Sequence, residues 1–245
     1  MSYKKPTLIE QYVAFSFRKD TLSQAKMFDV VPALKKIGFD TVEVVNIEQS
    51  SINDTGQIQR TIIPRFRCWN RDHDNLVQLA PDQVFINKVG KYLGWKDFSQ
   101  MYLNSLSIIK ENIEFSNIEG IAFNTVDVMN VFNNAPLGKY LNCGEIIPMW
   151  YSQIKESFDI SLGRGFLQAD KYNKHIQLIG REINNEYQIK ISSLFQKLIT
   201  QPIISIDYLS NEIENLHEES NTTFESMITD YTRENILGGI INANV

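Results

Sequence analysis

The densest run of ionisable side chains is Arg71-Asp-His-Asp74. Carboxylates and imidazole supply hard oxygen and borderline nitrogen ligands, so such a run could hold a divalent metal or move a proton. Metal-dependent hydrolysis, including nuclease chemistry, needs several converging carboxylates. Asp72, His73 and Asp74, joined by Glu43 from the preceding strand region, are the candidate set. The plainer reading is a hydrated turn, because adjacent hairpin residues point in different directions and Asp and Asn favour turns.

Glu214 and His217 form one Glu-x-x-His step, a motif that di-iron bundles carry twice together with two further glutamates. A single copy cannot assemble that site, so His217 reads as a half-buried structural histidine against a sheet. Gly163-Arg-Gly165 and Gly238-Gly239 lack the spacing of nucleotide-binding loops. No GxSxG, HExxH or CxxC occurs, and the common hydrolase and metalloprotease signatures therefore fail. No cofactor is expected.

Arg65, Arg67 and Trp69 offer another kind of chemistry. They alternate with Phe66 and Cys68 in the run from Arg60 to Trp69, the period of two that marks a half-buried strand. Arg and Trp are the residues proteins use as anchors in a partner's surface. Alternatively, the arginine stems and the indole pack beneath a helix with each charge met by a carboxylate. The choice turns on which sheet face is covered. A second candidate surface is the C-terminal end, where Ile236, Leu237, Ile240 and Ile241 follow a helix carrying Ile213, Leu216, Phe224, Met227 and Ile228. That is more apolar surface than a terminal segment ordinarily leaves in water, so self-association or a heteromeric protein partner is expected there. A third possibility is an apolar small-molecule site walled by Phe15, Phe17, Phe85 and Tyr102, residues that equally make an ordinary core.

The elements that must position these groups follow from periodicity. Strands are expected over Gln11–Arg18, Thr41–Gln49, Arg60–Trp69, Leu76–Ala80 and Gln83–Asn87, with a short helix between the first two. Trp95, Phe98, Tyr102, Leu106, Ile109 and Ile113 recur at steps of three and four and so make one helical stripe. From Ile118 the order repeats: a long strand, an irregular stretch, strands over Phe158–Ala169, Lys174–Ile183, Tyr187–Leu194 and Ile203–Tyr208, then a helix capped by Ser210. The expected class is α+β, with two similar β-rich halves, 1–116 and 117–245, joined in one compact unit. Each would be a largely antiparallel sheet packed by helices, with an internal duplication as the origin of the likeness.

Arg67-Cys-Trp69, Leu76-Val-Gln-Leu79 with Asp82 and Asn87, and Tyr92-Leu-Gly-Trp95 are followed far downstream by Asp207, Leu216-His217, Phe224 and Ile228-Thr229. In these positions the chain resembles a sporadically distributed bacterial family of about this length, known by a catalogue number and without an agreed catalytic set. Patchy distribution of that kind implies mobile elements, including antiphage defence and toxin–antitoxin loci, and with them a protein that works by binding another protein.

Composition bounds the remaining classes. The 245 residues carry a net charge of -5, and the pI is about 5.3. Nucleic acid is thus not expected as a direct partner, since phosphate binding relies on a positive surface. Cys68 and Cys143 belong to no metal-spaced cluster and are expected to be free thiols in a reducing compartment. No apolar run is long enough for a signal peptide or a membrane span, so a cytoplasmic protein is expected.

Overall fold

A computed structural model describes residues 3–18, 21–52, 58–92, 94–132, 135–142, 157–164, 172–184, 186–202 and 205–240. Nine strands build it: β1 (Leu8–Phe17), β2 (Thr41–Ile52), β3 (Ile58–Trp69), β4 (Asn75–Ala80), β5 (Gln83–Val89), β6 (Ile118–Val131), β7 (Phe158–Arg164), β8 (Asn173–Ile183) and β9 (Glu186–Leu198). Three helices are interspersed: α1 (Gln24–Lys36), α2 (Trp95–Asn112) and α3 (Ile206–Met227).

The strands lie in one sheet, in the order β2-β3-β4-β5-β1-β6-β9-β8-β7, with every neighbouring pair antiparallel. The fold is α+β, but separate sheets for the two segments are not what forms. β1 and β6 pair side by side from Leu8↔Asp127 to Phe17↔Ile118, which satisfies both backbones and leaves neither as an edge. The expected division near residue 116 falls in a 3-10 turn, Phe115–Asn117, that turns the chain from α2 into β6.

Register places Val13, Phe15, Phe66, Cys68, Val77, Leu79, Val84, Ile86, Ile121, Phe123 and Phe195 on one face. All are buried, and the helices lie over them. Phe28 of α1 meets Phe66 edge-on at 4.7 Å, and Trp95 of α2 meets Phe123 at 5.7 Å. α2 buries Phe98, Tyr102, Leu106 and Ile109, the stripe its periodicity predicts.

Serine caps open α1 and α3. Ser23 Oγ accepts from the Lys26 amide at 3.3 Å, and Gly38 at φ 97° lets the chain leave α1. At α3 the expectation fails. The expected strand Ile203–Tyr208 is helix from Ile206 onward, with Ile203 and Ile204 outside the described residues, and Ser210 does not cap the helix; Ser205 does, its hydroxyl accepting from the Tyr208 amide at 3.2 Å. The alternating isoleucines imitate a strand, but a serine hydroxyl that satisfies an orphan amide sets the helix start earlier.

Among the core-facing residues of β6 is Asp127, buried and accepting a hydrogen bond from the Thr7 hydroxyl at 2.8 Å. Burial pushes its carboxyl up to about 6, with the Thr7 bond opposing. The folded state therefore holds a proton that the unfolded chain releases near pH 4. This group favours folding fully below that pH, and the contribution is lost as pH rises through about 6. Asp127→Asn keeps an acceptor for Thr7 and removes the buried charge. It is expected to stabilise the protein by roughly 2 kcal/mol at pH 8 and by almost nothing at pH 4, in denaturant titrations at the two pH values.

Candidate functional site

The face of the sheet opposite the helices is set by the alternate residues. Register on β3, β4 and β5 aligns Arg67 with Gln78 and Gln78 with Phe85, and places Trp69 opposite Leu76 and Leu76 opposite Asn87. Arg65, Arg67 and Trp69 thus sit on the face that no described helix covers, and all three are half-buried. β3 pairs with β4 only over Phe66–Trp69, whereas its pairing with β2 runs from Thr41↔Trp69 to Ile52↔Ile58. The β2–β3 ribbon therefore projects past β4, and Arg65 stands where it leaves the sheet.

The floor around these arginines is polar and aromatic. Gln78 Nε2 donates to Asn87 Oδ1 at 3.2 Å, and Arg65 Nη1 reaches Gln78 Oε1 at 3.5 Å. The Arg65 guanidinium carbon lies 5.0 Å from the Phe85 ring centroid, a cation–π contact. Tyr12 meets that ring edge-on at 5.7 Å. Neither guanidinium has a carboxylate in ion-pair range among the described residues. Glu43 aligns with Arg67 across β2 and β3 yet forms no ion pair with it. The Nε atoms of both arginines are shut off from solvent and lack a hydrogen-bond acceptor. Burial first, and then the Arg67 charge, lower the Arg65 pKa. Arginine nonetheless stays charged in proteins. Two neighbouring cations with no counter-charge among the described residues suit an acceptor-rich anionic group.

The metal candidates do not converge. Asp72 and His73 are exposed in the turn after β3, His73 at φ 53°. Asp74 binds inward instead: its carboxylate meets Lys88 Nζ and accepts from Asn70 Nδ2 at 2.7 Å. Burial would raise its pKa, but the Lys88 and Asn70 hydrogen bonds outweigh that and lower it. Glu43 lies on β2 with Arg67 as its register partner. Among the described residues no group of three His, Cys, Asp or Glu is placed to hold a metal ion.

His217 does pack against the sheet. Its ring stacks on Trp95 at 3.6 Å between centroids and 5° between planes, and meets Phe123 edge-on at 5.9 Å. Trp95 Nε1 donates to Glu214 Oε2 at 2.7 Å, while Glu214 Oε1 is 3.5 Å from His217 Nδ1, outside good hydrogen-bond geometry. Burial lowers the His217 pKa and the Glu214 charge partly opposes it. This cluster joins α2 to α3. Sequence reading places His217 on the sheet but gives no sign of Trp95, 122 positions away, because stacking between distant helices leaves no periodic trace.

The remaining residues scatter. Phe15, Phe17 and Tyr102 are core on the helix side, whereas Phe85 faces the other way, so the four do not wall one cavity. Cys68 is a buried free thiol whose pKa burial raises to about 11, with Lys35 opposing. Cys143 and Ile241 lie outside the described residues. At the C-terminal end Leu237 is 1 % exposed and Ile236 packs on the core, leaving Ile240 at 44 %. The Lys5 amide donates to Leu237 O at 3.0 Å and Tyr3 bridges Ile240, so this end meets the chain's own N-terminus. No helix is long and apolar enough to cross a membrane among the described residues. No protein-family model matches the sequence, and neither does any curated protein.

Proposed function

We propose that this chain is a non-catalytic protein-binding subunit or regulator of a bacterial multi-protein system, and that its partner presents carboxylates to Arg65 and Arg67 beside Trp69. The observation that carries this reading is the pair of half-buried guanidiniums on the sheet face that no described helix covers, with no counter-carboxylate among the described residues. Close charge pairs across some interfaces couple by about 1.5–7 kcal/mol, and that is the range an acidic partner would draw on here. A mobile-element or defence setting belongs to the same proposal and rests on the family resemblance, while a cytoplasmic location rests on the free cysteines and the lack of a long apolar run in the sequence. An internal duplication is also part of the proposal. Its support is the strand order, which runs β1-β5-β4-β3 on one side of the sheet centre and β6-β9-β8-β7 on the other.

The test is purification of the full chain co-expressed with the products of neighbouring genes. A stable complex that Arg67→Ala or Trp69→Ala weakens, with the melting transition of the free chain retained, is the expected result. A monomer with no co-purifying product, or variants that collapse the melting transition, would count against it.

The C-terminal end is a second, separable contact. Deleting residues from Gly238 onward removes Ile240 while keeping buried Leu237. It also removes a 3.3 Å backbone bond from the Lys4 amide to Gly239. The truncated protein is expected to lose mass in light scattering, or to release a partner, with its melting temperature lowered by no more than about 2 °C. Unfolding on truncation would assign this end to the chain's own core alone.

A further inference from the structure

A second site lies on the helix side, where α2 begins. β1, β5 and β4 place Gln11, Lys88 and Asn75 in one row by register, Gln11 opposite Lys88 and Lys88 opposite Asn75. The first turns of α2 lie against this row and contribute Asp97, Phe98 and Met101. Together with Tyr92 these residues line a cavity of about 70 Å³. That is room for roughly five water-sized spheres, hence for a molecule of a few heavy atoms.

The cavity is rich in unspent donors. Gln11 is 1 % exposed, and its Nε2 has no hydrogen-bond partner. A buried amide left so is costly, and native structures rarely tolerate one. Lys88, also buried, uses Nζ on Asp74 and has two further N–H groups. Burial, then the charges of Asp127 and Asp97, raise the Tyr92 phenol to about 12, so it remains a donor. Gly94, the residue before α2, supplies no side-chain cap, and the first amides of the helix therefore lack that partner. Phe98 and Met101 are the apolar side of the cavity.

We propose that this cavity binds a small molecule with a carboxylate on a short carbon chain, its oxygens accepting from Gln11, Lys88 and Tyr92 at the start of α2 and its carbons resting on Phe98 and Met101. Asp97 decides between two sources of that chemistry: it would hold the ammonium of a small amino acid, and it has no partner in a simple monocarboxylic acid. This site stands apart from Arg65 and Arg67 and does not depend on the protein-binding reading.

Propionate and alanine are the probes, added to the full chain at about pH 7.5, where both carboxylates are ionised, with chloride at matched ionic strength as control. At tenfold above its dissociation constant, the preferred probe is expected to raise the melting temperature by about 3–5 °C. A larger shift with alanine identifies the amino acid, and a larger shift with propionate the simple acid. Gln11→Met should melt no lower than the parent without ligand, because it removes an orphaned donor, and should lose the shift. Tyr92→Phe should reduce the shift, and Arg67→Ala should leave it intact. The proposal is overturned if neither probe shifts the parent at concentrations up to about 50 mM, above the weak millimolar range. It is equally overturned if the shift survives both Gln11→Met and Tyr92→Phe.

Discussion

Phe123→Ala is expected to destabilise the protein by about 3–5 kcal/mol, the range for removing a fully enclosed aromatic side chain. Phe123 is 0 % exposed at the centre of β6. Its register neighbours are Val13 on β1 and Phe195 on β9, and Trp95 and His217 meet its ring from α2 and α3. None of these can close the gap alone, since Trp95 and His217 are stacked on each other and held by Glu214. Domains are stable by only about 5–15 kcal/mol in total, so the variant should sit close to unfolding. The lesion lies where the strands of both segments join one sheet. Circular dichroism and Trp fluorescence should therefore shift together in a denaturant titration. Two separated transitions would mean that the segments fold as independent units.

Arg65→Met combined with Arg67→Met is expected to weaken partner binding by about 2–4 kcal/mol, roughly 30- to 1000-fold. The free chain should keep its stability or gain a little. Both methionines conserve the aliphatic stem, and the substitution removes two like charges and two blocked donors that nothing in the described chain satisfies. An ion pair with an internal carboxylate would give the opposite stability result, because the abandoned carboxylate would be left buried. The same logic predicts that binding weakens with added salt in the parent and much less in the double variant, as measured by titration calorimetry at two ionic strengths.

How much of this could be read from the sequence depended on the range of the interactions involved. Phe98, Tyr102, Leu106 and Ile109 announce α2 because a helix writes its buried face every three or four residues. Arg65, Arg67 and Trp69 announce one face of β3 for the same local reason, with a period of two. What remained hidden was which face the helices take, set by contacts between elements such as Phe28 with Phe66 and Trp95 with Phe123, and that β1 would pair with β6 to make one sheet, through contacts more than 100 residues apart. α3 began early because a single cap bond from Ser205 outweighed an apolar alternation. The run from Asp72 to Asp74 looks concentrated along the chain, yet Asp74 turns in to Lys88 and Asn70 while Asp72 and His73 face solvent. The cavity beside Gln11 has no sequence signature, since Gln11, Lys88 and Asp97 come from three elements.

The most direct test of the binding face is hydrogen exchange on the full chain, alone and in complex with a co-expressed neighbouring gene product. Binding at Arg65 and Arg67 predicts new protection over the β2–β3 ribbon and β4, from Thr41 to Ala80, with exchange in α1, α2 and α3 unchanged. Protection confined to the helices, or a complex that forms with equal affinity in the Arg65→Met and Arg67→Met double variant, would contradict it.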